Sequence, residues 1–186
     1  MRLNLDRRRF FASAAAGAAL ASSGLLARAS AQPPAGPIAL PPPIGREERL
    51  ARLAKARELM KRNGIGAIVV EPGASLDYYT GVQWWRSERL TAAVIPIEGE
   101  PIIVTPFFEK PSVEESLGVP ADVRVRQEDE EPLKLVADFL RERGVAQHPI
   151  GFEETNRFFI LDRLQQQLPG VRIVSANPVV RAARMV

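Results

Sequence analysis

The chain has 186 residues, no cysteine and a single histidine. Thiol catalysis, iron–sulfur clusters, zinc–thiolate sites and disulfides are therefore excluded, and no histidine pair exists to found a zinc centre. Its 25 Lys+Arg against 22 Asp+Glu overstate the basicity of the folded part, because five of those bases and only one acid fall within the first 31 residues.

Those 31 residues read as a targeting segment. Arg7-Arg8-Arg9 precede Phe10-Phe11, a mild apolar run rich in Ala, Gly and Ser follows, and Ala29-Ser30-Ala31 supplies a small-x-small cleavage pattern. A charged start, an apolar centre and such a site make a secretory leader, and twin arginine (Arg7, Arg8) ahead of x-Phe-Phe points to the twin-arginine route. Export to the periplasm or beyond is expected. The alternative is an uncleaved anchor, but the run from Phe10 to Leu26 falls short of the roughly 20 strongly apolar residues that a spanning helix needs. Without the leader the chain holds 20 bases and 21 acids. That balance favours neither a nucleic-acid surface nor, once the leader is cleaved, a membrane surface. Residues 32–45, with Pro33-Pro34 and Pro41-Pro42-Pro43, read as an extended tether.

From Arg46 the pattern becomes globular. Arg46 to Asn63 predicts a helix, with Leu50, Leu53, Ala54, Ala56, Leu59 and Met60 on its apolar side and Asn63-Gly64 as its stop. Ala67-Ile68-Val69-Val70 is a short, continuously apolar strand, and Leu76 to Tyr79 a helical turn ended by Gly81. Leu90 to Ile97 and Pro101 to Thr105 flank Glu98-Gly99-Glu100 as a hairpin. Phe107 to Leu117 is weakly helical, and Val123 and Val125 alternate with arginines in a further strand. Pro132 opens a helix that Gly144 closes, with the acidic run Glu128 to Glu131 at its positive end. Ile150-Gly151-Phe152 is the next strand. A helix capped by Thr155 or Asn156 then runs to about Leu168, Val171 to Val174 forms the last strand, and Pro178 starts a final helix. This order predicts an α/β fold: a single three-layer domain over 46–178, with a mixed sheet of about six strands covered by helices on both faces.

The candidate chemistry is sparse. His148 precedes Pro149 at a strand entrance and reads as a turn residue. Glu128-Asp129-Glu130-Glu131 lacks the alternate spacing and glycine of a calcium loop. Glu153 and Glu154 end a strand, but neighbours on an extended chain point to opposite faces and cannot readily share one ion. Glu154 reads as helix-start electrostatics, and Glu153 stays undecided. Trp84, Trp85, Arg86 and Arg89 stand out: two aromatic surfaces and two planar cations in one linker suit an interface or the rim of a peptide site. Plain packing of a tryptophan over the sheet edge is the alternative.

The segment Leu76-Asp77-Tyr78-Tyr79-Thr80-Gly81, the hairpin from Leu90 to Thr105 and the opening helix together resemble the N-terminal domain of the creatinase/prolidase/aminopeptidase P family. There a Y-x-T-G element follows the first strand and a hairpin follows it. Arg181 to Val186 resembles the start of that family's interdomain helix, so 179–186 is expected to be its truncated beginning. The resemblance implies a ribonuclease H-like domain followed by a pita-bread domain. The second domain would carry a divalent metal pair (Mn, Co or Zn) on two Asp, one His and two Glu and would cleave Xaa-Pro peptide bonds, or, in creatinase, a C–N bond. None of those ligands belongs to the first domain, so no catalytic, cofactor-binding or metal residue is assigned to this chain. The expectation is a non-catalytic domain of an exported metal-dependent Xaa-Pro-type peptidase. Its partners would be the C-terminal catalytic domain, further copies in a homo-oligomer, and peptide substrate near Trp84, Trp85, Arg86 and Arg89. A stand-alone periplasmic module that binds peptides or a partner chain, and the N-terminal domain of a creatinase-like amidinohydrolase, are the competing readings.

Overall fold

The computed structural model describes residues 42–185. The expected leader with Arg7 and Arg8, and the tether up to residue 41, lie outside the described residues. Among these, no helix is long and apolar enough to cross a membrane.

The elements in chain order are α1 (Arg46–Asn63), β1 (Ala67–Val70), α2 (Ala74–Thr80), β2 (Ala92–Pro96), β3 (Ile102–Pro106), a 3-10 turn (Phe107–Glu109), α3 (Lys110–Ser116), β4 (Asp122–Arg126), α4 (Pro132–Glu142), β5 (Ile150–Phe152), α5 (Phe158–Gln167), β6 (Ile173–Ser175) and α6 (Asn177–Arg184). The six strands form one sheet in the order β4-β3-β2-β1-β5-β6. The hairpin β2–β3 and the pair β1–β2 are antiparallel. The pairs β3–β4, β1–β5 and β5–β6 are parallel, so the sheet is mixed, as the element order predicted.

Side-chain alternation divides the strands between two cores. Ile68, Val70, Ala93, Ile95 and Ile103 face α1, α2, α3 and α6, which contribute Leu53, Met60, Tyr79, Val113 and Val180. Ala67, Val69, Val94, Ile102 and Val104 face α4 and α5, which contribute Val136, Phe139, Leu140, Ile160 and Leu164. Every residue of β1 is buried because both faces of this central strand are covered. That is why it reads as an unbroken apolar run. Truncating a fully buried side chain such as Leu140 would cost about 2–5 kcal/mol in lost transfer energy and cavity formation.

Three local expectations are corrected. In α1 the buried positions are Arg49, Leu53, Ala56 and Met60, whereas Leu50 and Ala54 are exposed. Arg49 displaces the apolar stripe because its guanidinium is held by Asp77 of α2, as both an ion pair at 3.1 Å and a bond to the Asp77 carbonyl. Neither Thr155 nor Asn156 caps α5, which begins after Arg157. Glu154 accordingly does not sit at a helix start; it accepts from Ser175 Oγ at 3.2 Å. The acidic run, by contrast, serves its helix as expected: the Glu131 carboxylate accepts from the Leu133 amide at 3.0 Å and caps α4.

Candidate functional site

The linker from α2 to β2 carries both tryptophans. Its entrance is built by the last turn of α2. The Thr80 hydroxyl donates to the Leu76 carbonyl at 2.6 Å and accepts from the Val82 amide at 3.2 Å. Gly81 takes a left-handed φ of 86° and turns the chain off the helix. Residues 82–91 then run without regular structure to the start of β2.

Three of the four singled-out residues come together there. Trp84, Trp85 and Arg86 line an open cleft of about 670 Å³ together with Pro72, Gly73, Ala74, Asp77 and Gln83. Trp84 packs half-buried against the first core, whereas Trp85 is 91% exposed. Arg86 donates to the Thr155 hydroxyl at 3.2 Å. Arg89 does not line the cleft. It pairs with Glu128 at 2.9 Å and with Glu88, and lies 5.6 Å from the centre of the Phe108 ring. The Glu128 hydrogen bond, first, and its charge raise the Arg89 pKa, as expected for a cation in a surface ion-pair network.

A residue pair that the sequence reading missed stands behind the cleft. Glu71 directly follows β1, and its side chain is fully inaccessible to solvent. It accepts from Arg157 Nε at 2.9 Å, from the same guanidinium at 2.7 Å and from the Arg157 backbone amide at 3.0 Å. Burying a carboxylate is tolerable only with such complete pairing. The remaining arm of Arg157 donates to the Ser87 carbonyl in the linker. A signal for Glu71 existed in the sequence, a carboxylate between a buried strand and Pro72-Gly73, but its partner lies 86 positions away.

The other acids do not converge. Glu153 accepts from Ser75 Oγ at 2.6 Å, while Glu154 turns to Ser175. His148 is exposed in the turn before β5, where its amide bonds the Val145 carbonyl. Among the described residues, no three His, Cys, Asp or Glu side chains come together to hold a metal ion. The described residues therefore do not fit the metal pair that the resemblance implies, and no reaction step follows from them. What the cleft offers is recognition: an exposed indole, a half-buried indole and a guanidinium with donor capacity to spare.

Comparison with known proteins agrees with this reading of the fold. The profile of the creatinase/prolidase N-terminal domain family matches residues 52–186. A probable dipeptidase, PepE, of Mycobacterium tuberculosis is 33% identical over 138 residues, covering 73% of this chain and 36% of the relative. The crystal structure of dipeptidase PepE from Mycobacterium ulcerans superimposes with a TM-score of 0.66 at 32% identity, over 77% of this chain and 38% of that one. The solved N-terminal domain of an X-Pro dipeptidase from Streptococcus pyogenes shares the fold with a TM-score of 0.57 at 17% identity, over 71% of this chain and 98% of that one. The chain thus spans little more than a third of the length of the dipeptidases it matches. With its six-stranded mixed sheet and a profile match over most of its length, the chain belongs to the creatinase/prolidase N-terminal domain family.

Proposed function

We propose that this chain is the non-catalytic N-terminal domain of an exported, metal-dependent Xaa-Pro-type dipeptidase, shaping oligomer contacts and substrate access. The observation that carries the reading is the extent of the match: about a third of each dipeptidase relative, with the remainder free to supply the chemistry. The relatives' names favour a dipeptidase over an amidinohydrolase. Export rests on the leader with Arg7 and Arg8. The divalent pair (Mn, Co or Zn) falls to residues of the catalytic domain. The cleft bearing Trp84, Trp85 and Arg86 supplies the rim past which a short peptide enters, and Arg89 braces the same linker from outside.

The test is an assay of the purified chain on Xaa-Pro dipeptides with Mn²⁺ or Co²⁺ added. No hydrolysis is expected from the chain alone, whereas the enzyme that contains it hydrolyses them. Metal-dependent turnover by the chain alone would overturn the reading. Export is tested by fractionation: Arg7→Lys/Arg8→Lys is expected to retain the protein in the cytoplasm, and unchanged export would refute the twin-arginine route.

A further inference from the structure

We infer that Arg157 is a positioning residue for the cleft: it transmits the fixed position of Glu71 at the end of β1 to the linker that carries Trp84, Trp85 and Arg86. The inference rests on the access-rim reading only for its consequence, not for its geometry.

Among the described residues, the hydrogen bonds of the Glu71 carboxylate all go to Arg157, and none goes to the linker. Arg157 is shared. Two of its guanidinium nitrogens and its amide engage Glu71, and the third guanidinium nitrogen donates to the Ser87 carbonyl. The guanidinium also lies 4.8 Å from the centre of the Phe159 ring, which leaves it little freedom to swing. A planar, forked cation can serve a carboxylate with two arms and a carbonyl with the remaining one; an ammonium cannot reproduce that geometry. One residue earlier in the linker, Arg86 reaches back to Thr155 at 3.2 Å. The linker is thus laced twice to the 155–157 segment, and the stronger lace ends on a buried charge. Three residues before the Ser87 tie stands Trp84, whose indole forms the half-buried part of the cleft wall. With this lace in place the cleft keeps its width. Without it the wall is free to move, and what passes the rim is no longer selected by shape.

The chain has two tryptophans, both in this linker, so intrinsic fluorescence reads the linker directly. In a Trp85→Phe background the signal is that of Trp84 alone. Arg157→Lys and Glu71→Gln are then compared with that background by emission maximum and acrylamide quenching, with far-UV circular dichroism confirming the fold. Both variants are expected to shift Trp84 emission to the red and to raise quenching. The Glu71 result is the diagnostic one, because the side-chain hydrogen bonds of residue 71 reach the linker only by way of Arg157. Thr155→Val, which removes only the Arg86 lace, is expected to give a smaller shift. Folded Arg157→Lys and Glu71→Gln proteins with unchanged Trp84 emission and quenching would overturn the inference. If Glu71→Gln fails to fold, Arg157→Lys decides alone. No peptide is present in this experiment, so its outcome is independent of whether the cleft admits substrate.

Discussion

The Tyr78 hydroxyl donates to the Ala183 carbonyl at 2.9 Å, between residues 105 positions apart. Tyr78 opens the Tyr-x-Thr-Gly element, and Ala183 lies in the last turn of α6. The tyrosine therefore satisfies one of the carbonyls that a helix end leaves without an intrahelical partner. Arg52 lies over the same ring at 4.2 Å, and Lys55 donates to the Met185 carbonyl at 3.1 Å. The Tyr-x-Thr-Gly element thus ties α2 to α6, with Arg52 and Lys55 of α1 packed beside the junction.

Adjacent tyrosines should consequently respond in opposite ways. Tyr79 is fully buried, and its hydroxyl has no hydrogen-bond partner among the described residues. Burial, first, and the neighbouring Tyr78 push its pKa far up, so it stays neutral. Tyr79→Phe removes an unpaired buried polar atom and is expected to be neutral or stabilising by up to about 1 kcal/mol. Tyr78→Phe loses a made hydrogen bond and leaves a carbonyl unpaired, at a cost of about 1 kcal/mol. Urea unfolding of the two variants decides; a larger loss for Tyr79→Phe would contradict the geometry.

Gly81 is required for two independent reasons. Its φ is 86°, and an added Cβ would meet the Gly118 amide nitrogen at 2.8 Å and the Ser116 carbonyl oxygen at 3.0 Å. Both obstacles are backbone, held in place because Gly118 donates to the Thr80 carbonyl at 2.8 Å. Gly64 also has a left-handed φ, 63°, but a Cβ there meets nothing within 4 Å. Gly64→Ala is expected to cost about 1 kcal/mol of backbone conformation. Gly81→Ala adds the collision and should cost at least about twice as much. Equal melting temperatures for the two variants would show that the Gly118 segment yields.

Acid should weaken the α4 face. The hydrogen bond from Lys134 holds the Asp138 pKa below its ordinary value of 3.8, and the hydrogen bond from Arg124 holds the Glu142 pKa below 4.5. A carboxyl with a folded pKa below its unfolded one contributes stability that is fully present above the unfolded value. That contribution is lost as pH falls through the folded value. The window is therefore below about pH 4.5, and neutral pH should show no slope from these groups. Both acids lie at the surface, so each pair is worth at most about 1 kcal/mol and is weakened by salt. Denaturant midpoints measured from pH 7 to pH 3 for Glu142→Gln should fall less steeply than those of the parent.

Most of the framework was legible because it depends on short-range pattern. Apolar runs located β1, β2, β3 and β5, the Glu98-Gly99-Glu100 turn located the hairpin, and Pro132 and Gly144 bracketed α4. What escaped depends on contacts between distant positions. Arg49 sits buried in α1 because Asp77 receives it, and it crosses close over Gly118, where a Cβ would lie 2.7 Å from its Cδ. The start of α5 moved past Thr155 and Asn156 because the Arg157 amide is taken by Glu71. The linker was recognised by its composition, but its division was not. Trp84, Trp85 and Arg86 turn to the cleft while Arg89 turns to Glu128, since linear spacing says nothing of which acid lies within reach.

The two tryptophans separate packing from recognition. Trp84 is packed against the first core, so Trp84→Ala should cost about 2 kcal/mol of stability through lost apolar burial. Trp85 is 91% exposed and contributes almost nothing to the isolated domain, so Trp85→Ala should leave the urea midpoint unchanged. On the access-rim reading, Trp85→Ala in the enzyme containing this domain raises KM for Xaa-Pro dipeptides while kcat holds, because the indole touches the entering peptide and not the reacting bond. Steady-state kinetics on the two variants distinguishes the roles. An unchanged KM for Trp85→Ala, with stability also unchanged, would remove the indole from substrate access.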